Sequence, residues 1–549
     1  MRALPATVRR PTGDHAVTYW TQSPGPMPAP TRRAHRGWWV FVTVLVVAVV
    51  VEALVGLALA PRALVAVTMA RYTNAIVWTE CDDDLYCGRI DAPLDWSDPA
   101  SPAIQLALVE HRATGTRTGT LVVDPGGPGG SGVDMVASDV RNAVTSTVAA
   151  HDDVIGIDPR GVGSSTAVQC GGASALDALL YPGVTGTVGS DAWIRGERAA
   201  AAAFARSCER HTGALLAHVD TVSAARDLEL VRRDLGVDRL DYLGYSYGTQ
   251  LGSVFAGLYP HSVGRFVLDG AIDLWSDEDA DDSGDGDDAG DGGQAAGFET
   301  ALRDWMKACI AGAADAVPSG ATCPYRGDVD SGMADVRALL ARVSSAPLRG
   351  SDGRALDGGT LATAISSALY DEHDWPTLTV ALTDATAGKA DHALGLADQY
   401  NGRDEHGHYD GNSTEAFTAV QCRDFGGGED VADMRRYADD LRKSAPTLGP
   451  YQAFDFTCDQ WPVPATSDWP APPTAAGDGP VLVVGTTKDP ATPYHDAQQL
   501  ADLFPDGHLV TEHGEGHTAY DLGDHCVDDV VDAYLLHGKV PAHDPDCRP

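Results

Sequence analysis

Leu240-Asp241-Tyr242-Leu243-Gly244-Tyr245-Ser246-Tyr247-Gly248-Thr249-Gln250-Leu251 sets a short apolar strand directly against a helical pattern, with Gly-Tyr-Ser-Tyr-Gly at the joint. Leu240 to Leu243 reads as the strand, and the spacing predicts a helix from Tyr247 to Leu258. Glycine on both flanks permits a strained turn that exposes the Ser246 hydroxyl. The helix N-terminus behind the turn offers a partial positive charge to an oxyanion. The five-residue string is weak by itself; the strand–turn–helix setting gives it weight.

Outward from this turn, Ile104 to Val109, Thr120 to Val123, Val154 to Ile157, Phe266 to Leu268, Val481 to Val484 and His508 to Val510 predict further strands. Val222 to Leu235 predicts a helix capped by Gly236. Strands alternating with helices point to an α/β protein with a mostly parallel sheet. Between Leu268 and Val481 the pattern is mostly helical and far longer than one crossover requires, so residues 275–478 are expected to be an inserted helical cap over the ligand-binding edge. The core would then comprise residues 80–274 and 479–549.

Acyl transfer needs more than a serine. Asp124-Pro-Gly-Gly-Pro-Gly-Gly-Ser-Gly132 follows a strand and can bring backbone N–H groups close to a reacting carbonyl. Gly127 is the expected oxyanion donor, beside the N–H of Tyr247. A phosphate loop is the rival reading, but the GKS/T ending is absent. Asp489 follows the strand at 481–484 and His517 the strand at 508–510, in the order acid then histidine. His517 would take the Ser246 proton while Asp489 holds the imidazole tautomer. His513 is the competing base, although it lies nearer the strand than the loop tip. This chemistry calls for no metal or organic cofactor.

The 549 residues carry 39 Lys plus Arg against 78 Asp plus Glu, a net charge of −39 that argues against a nucleic-acid partner. Residues 1–37 are Arg- and Pro-rich and read as a cytoplasmic segment or signal n-region. Trp38 to Ala60 is apolar, with Glu52 its one charge. Its Val, Leu and Phe contribute about −6 kcal/mol on an insertion scale against about +3 for the acid, so it is expected to enter the membrane. An anchor and a signal cleaved after Ala58-Leu59-Ala60 are both open, with Pro61 disfavouring cleavage. Either way the bulk of the chain is expected outside the cytoplasm. There the ten cysteines would form disulfides, the simplest scheme being Cys81–Cys87, Cys170–Cys208, Cys309–Cys323, Cys422–Cys458 and Cys526–Cys547. Residues 277–291 hold nine acids among Gly and Ser. They read as a solvated loop rather than a calcium site, because Gly290 stands where a calcium loop needs Glu.

The chain resembles the tripeptidyl aminopeptidase (TAP-like) branch of the α/β-hydrolases, which is related to the prolyl iminopeptidases. The resemblance rests on Asp124–Gly132, Asp158-Pro-Arg-Gly-Val-Gly-Ser-Ser165, Leu243–Thr249, Leu268-Asp-Gly270, Asp489-Pro-Ala-Thr-Pro493 and Gly516-His-Thr518. Prolyl iminopeptidases carry HGGPG where this chain has Pro125-Gly-Gly-Pro-Gly129, which favours the tripeptidyl branch. The resemblance implies an α/β-hydrolase fold. It also implies an extracytoplasmic serine exopeptidase that releases short peptides, tripeptides among them, from free N-termini through an acyl-enzyme. Gln421-Cys-Arg-Asp424 is similar to a family segment that makes Asp424 a candidate holder of the substrate ammonium, the alternative being a surface acid beside a disulfide. Thr492 either supports the triad or closes a turn. An esterase or lipase would use the same triad, and a non-catalytic binding protein would retain only the fold.

Overall fold

The computed structural model describes residues 62–275, 293–427, 430–466, 469–474 and 479–548. The apolar run at 38–60 and the acidic segment at 277–291 lie outside them. Among the described residues no helix is long and apolar enough to cross a membrane.

The sheet has ten strands: β1 (Thr79–Asp82), β2 (Leu85–Pro93), β3 (Ala103–His111), β4 (Gly119–Asp124), β5 (Asp152–Asp158), β6 (Leu240–Tyr245), β7 (Val263–Asp269), β10 (Val481–Lys488), β11 (Gly507–Glu515) and β12 (Asp546–Cys547). A separate two-stranded hairpin, β8 (Leu348–Arg349) with β9 (Ala355–Leu356), lies in the helical insert. The sheet order is β1-β2-β3-β5-β4-β6-β7-β10-β11-β12. β1, β2, β3 and β5 pair antiparallel in succession, and every pairing from β5 through β12 is parallel. Each strand foreseen in the sequence is present. The first two and the last are additions: β1 is four exposed residues, β12 is only two residues long, and β2 breaks its apolar pattern with Cys, Gly, Arg and Asp.

Both faces of the parallel strands are buried, and alternate residues supply opposite faces. Val122, Ile155, Tyr242, Phe266, Leu268 and Val483 pack under the helices Thr221–Leu235, Tyr247–Leu258 and Tyr494–Leu503. Leu121, Val123, Val154, Leu243, Val267, Leu482 and Val510 pack on the other side, with Val136, Val148 and Val531 of three further helices. The result is a helix–sheet–helix sandwich. Asp158-Pro-Arg-Gly161 bolts one end of it. The Arg160 guanidinium is fully buried, pairs with Asp227 at 2.7 Å and donates to the carbonyls of Pro93, Leu94 and His218. Every polar atom of this ion pair is matched, the condition under which a buried pair is tolerated.

Between β7 and β10 the chain forms a helical layer with its own core, including Leu302, Trp305, Met306, Leu340, Ile365, Leu382 and Leu394. The roof is not made by that insert alone. The helix Asp191–Thr212, between β5 and β6, buries Trp193, Ile194 and Ala201 against Met434 and Phe456. Tyr181 enters the insert's core. The five disulfides join neighbouring cysteines in the simplest scheme, and no free cysteine is left.

Candidate active site

Ser246 stands between β6 and the helix Tyr247–Leu258 at φ 53°, ψ −121°, a backbone region that residues with side chains rarely occupy. Close packing enforces the turn. A Cβ on Gly244 would fall 2.4 Å from the Gly248 carbonyl oxygen, and one on Gly248 would fall 2.8 Å from that of Asp124. The Ser246 N–H donates to the Asp269 carbonyl at 2.8 Å, and the Ser246 carbonyl accepts the Thr249 N–H at 2.8 Å. The strain is therefore held from both sides.

The loop after β4 runs along this turn. A Cβ on Gly126 would lie 2.3 Å from the Tyr245 carbonyl oxygen and 2.9 Å from the Tyr247 nitrogen. Gly126 and Gly127 have φ of 86° and 110°, which suits glycine. The Asp124 carboxylate fixes the loop by accepting the Gly126 N–H at 2.8 Å. Burial pushes the Asp124 carboxyl up to about 7, with Asp158 adding repulsion against the stabilising N–H. Gly127 and Ser246 line the same cavity, and Tyr247 follows Ser246 at the start of the helix. This arrangement packs the glycine loop against the backbone of the turn that carries Ser246.

Asp489 and His517 meet at the ends of β10 and β11. The His517 Nδ1–H donates to Asp489, at 2.8 Å to Oδ2 and 2.9 Å to Oδ1. Asp489 is buried and also accepts the N–H groups of Ala491, Thr492 and Thr518 and the Thr492 hydroxyl. Thr492 Oγ1 is 3.3 Å from His517 Nδ1, so this residue braces the acid–imidazole pair as well as its own turn. Burial disfavours the imidazolium, but Asp489 beside it, with Asp269 beyond, outweighs burial and raises the His517 pKa. With Nδ1 committed to Asp489, Nε2 is left to act toward Ser246. From the roof, the Tyr370 carbonyl accepts the His517 N–H at 2.9 Å, and the Tyr370 ring meets the imidazole edge-on at 5.4 Å between centroids.

His513, the competing base, points elsewhere: it is exposed on β11 and pairs with Asp546. Asp424 requires a correction. It is 2% exposed and absent from the walls of the Ser246 cavity. Its carboxylate takes the Thr221 N–H at 2.9 Å and the Thr221 hydroxyl at 2.5 Å, and Thr221 in turn contacts the Tyr247 hydroxyl at 2.6 Å. Asp424 thus ties an insert helix to the core behind the nucleophile, and no substrate ammonium can reach it there. The Cys422–Cys458 bridge beside it made the position conspicuous in sequence without indicating which way the carboxylate faces.

Ser246 and His517 open into a cavity of about 610 Å³, walled by Gly126, Gly127, Leu179, Leu180, Tyr370, Tyr400 and Phe417 among others. Among the described residues, no carboxylate, lysine or arginine lines it. Leu179 and Leu180 come from the segment between β5 and β6, far in sequence from the motifs. Nothing in their local pattern marks them as substrate-facing. Among the described residues, no group of three or more His, Cys, Asp or Glu is placed to hold a metal ion.

Residues 445–547 match the family model described as TAP-like protein, and residues 119–302 match the model for the alpha/beta hydrolase fold. The chain is 34% identical over 495 residues to the serine protease Hip1 of Mycobacterium tuberculosis, covering 86% of this chain and 91% of that one. It is 32% identical over 517 residues to a tripeptidyl aminopeptidase of Streptomyces lividans, covering 88% and 89%. It is also 37% identical over 472 residues to a carboxylesterase B of M. tuberculosis, covering 84% and 86%. With likeness running through both halves of the sheet and the insert between them, the chain belongs to the TAP-like family of α/β-hydrolases and is a serine hydrolase.

Proposed function

We propose that this protein is an extracytoplasmic serine exopeptidase that releases short peptides, tripeptides among them, from free N-termini through an acyl-enzyme. The observation that carries the reading is a nucleophile and its base set in a roofed cavity of about 610 Å³. That volume is in the range of small-ligand pockets and admits a chain end more readily than the middle of a folded protein. The family supports it, since relatives named for serine protease and tripeptidyl aminopeptidase activity cover most of the chain. The five disulfides support an oxidising compartment, and the apolar run at 38–60 supports attachment to or passage through a membrane.

In this mechanism His517 Nε2 accepts the Ser246 proton as Oγ attacks the carbonyl. Asp489 holds the tautomer and balances the imidazolium that forms. The N–H groups of Gly127 and Tyr247 receive the oxyanion, each such donor being worth roughly 10²–10³ in rate. The imidazolium then protonates the departing amine. Water, deprotonated by the same base, releases the acyl group.

A second reading, hydrolysis of carboxylic esters, is favoured by the uncharged cavity wall and by the relative named carboxylesterase B. Chromogenic substrates separate the two. A tripeptidyl amide with a free amine should be cleaved, its N-acetylated form at least 10-fold more slowly, and a short-chain acyl ester poorly. Cleavage of the ester with no turnover of either amide would leave the triad standing and reject the peptidase.

A further inference from the structure

Leu268-Asp269-Gly270 ends β7, which lies between β6 with its serine turn and β10 with its acid loop. Asp269 is fully buried. Its carbonyl takes the Ser246 N–H at 2.8 Å. Its carboxylate takes the N–H of Ala519 at 3.1 Å, from both oxygens, and that of Tyr520 at 2.9 Å, on the loop just past His517. The next residue completes the junction: the Gly270 N–H donates to Val484 of β10 at 3.2 Å, and a Cβ there would sit 3.0 Å from His517 Cε1. One dipeptide thus touches all three strand ends that carry the triad.

We propose that Asp269 is a positioning residue of the hydrolytic machinery, a second buried carboxylate that holds the serine turn and the histidine loop in register and favours the imidazolium without touching it. This inference rests on the reading of Ser246 and His517 as nucleophile and base. The electrostatics agree in sign: Asp269 is among the groups that raise the His517 pKa. Burial pushes the Asp269 carboxyl up to about 6, against the Tyr520 and Ala519 N–H groups and the nearby His517. The other groups facing these two are few. Asp489 comes from β10, Tyr370 with Tyr400 from the roof, and Tyr245 and Tyr520 pack near Asp269. Glu515, the last residue of the strand that precedes His517, is paired with Lys488.

The test uses the full chain with Asp269→Asn and with Asp269→Ala, which leaves room for water at the Ala519 and Tyr520 N–H groups. The pH dependence of kcat and of kcat/KM is measured on whichever substrate the wild type turns over. The expected result is a kcat lower by roughly 10- to 100-fold, KM within about twofold, and an acid limb of kcat/KM displaced to lower pH. Asp234→Asn, a remote carboxylate that accepts the Asn74 N–H, should leave that limb in place. A limb unmoved in both Asp269 variants would reduce Asp269 to a structural anchor and overturn the inference. If neither variant folds, the Nδ1–H resonance of His517 in the wild type should show a second inflection near pH 6 (that of Asp269), and its absence overturns the inference equally. Undiminished turnover by Ser246→Ala would instead remove the underlying catalytic reading, an outcome distinct from either.

Discussion

The Ser246–His517–Asp489 set depends on one carboxylate whose two oxygens accept from several donors at once. Asp489 takes the His517 Nδ1–H together with three backbone N–H groups and the Thr492 hydroxyl, so its orientation is over-determined. Asp489→Asn should preserve the fold and lower kcat by about 10³–10⁴-fold, because an amide can hold the wrong imidazole tautomer. A kcat within tenfold of wild type would show that Asp489 is not the acid. The three residues were legible in the sequence because each follows a strand at the same sheet edge, where spacing and turn chemistry are local. Asp269 stands out in the sequence only as the middle residue of Leu268-Asp-Gly270. Its partners lie 23 and 250 residues away, so no local pattern could show that its carbonyl and carboxylate face two different loops. Asp424 failed in the opposite way: a conspicuous neighbourhood concealed an inward-facing side chain.

At the scale of elements, the roof bears on catalysis through the helix Gly358–Leu369. Tyr370 follows that helix and presents its carbonyl to the His517 N–H and its ring edge to the imidazole, while the same ring lies 6.0 Å from that of Tyr400 at the cavity rim. Tyr370→Ala keeps the backbone bond but removes the ring. It should lower kcat on a small ester, one too short to touch the roof, by about 10-fold through looser placement of His517. An unchanged kcat on that ester, with KM raised only for peptides, would make Tyr370 a substrate wall and nothing more. The helix Tyr247–Leu258 has the limits expected from its 3.6-residue pattern and the preceding Gly-x-Ser-x-Gly. The second contributor to the roof was not legible. Trp193, Ile194 and Ala201 find their partners in Met434 and Phe456, more than 200 residues on, and an amphipathic helix does not name the surface it will cover.

For the whole molecule, the acids set the pH response. Burial pushes Asp124, Asp424 and Glu515 up to about 7 and Asp269 up to about 6. Burial and the adjacent Asp524 push Glu512 up to about 8. Each folded-state value is raised above the unfolded one, so the native state binds more protons between about pH 4 and 8 and stability declines as pH rises through that window. The net charge of −39 acts in the same direction by self-repulsion. Scanning calorimetry should find a Tm higher at pH 5.5 than at pH 8.0; a Tm that rises toward pH 8 would contradict this balance. Composition made the acidity plain, but which carboxylates would be buried depended on the packing of sheet, insert and loops together.

The most direct measurement is peptide mapping by mass spectrometry after treatment with a fluorophosphonate, on the wild type, Ser246→Ala and His517→Ala, alongside turnover of the free-amine tripeptidyl amide. The expected result is one adduct, on Ser246, in the wild type, none in Ser246→Ala, slow formation in His517→Ala, and loss of turnover in both variants. An adduct on another residue, or undiminished cleavage by Ser246→Ala, would contradict the assignment of this serine as the nucleophile.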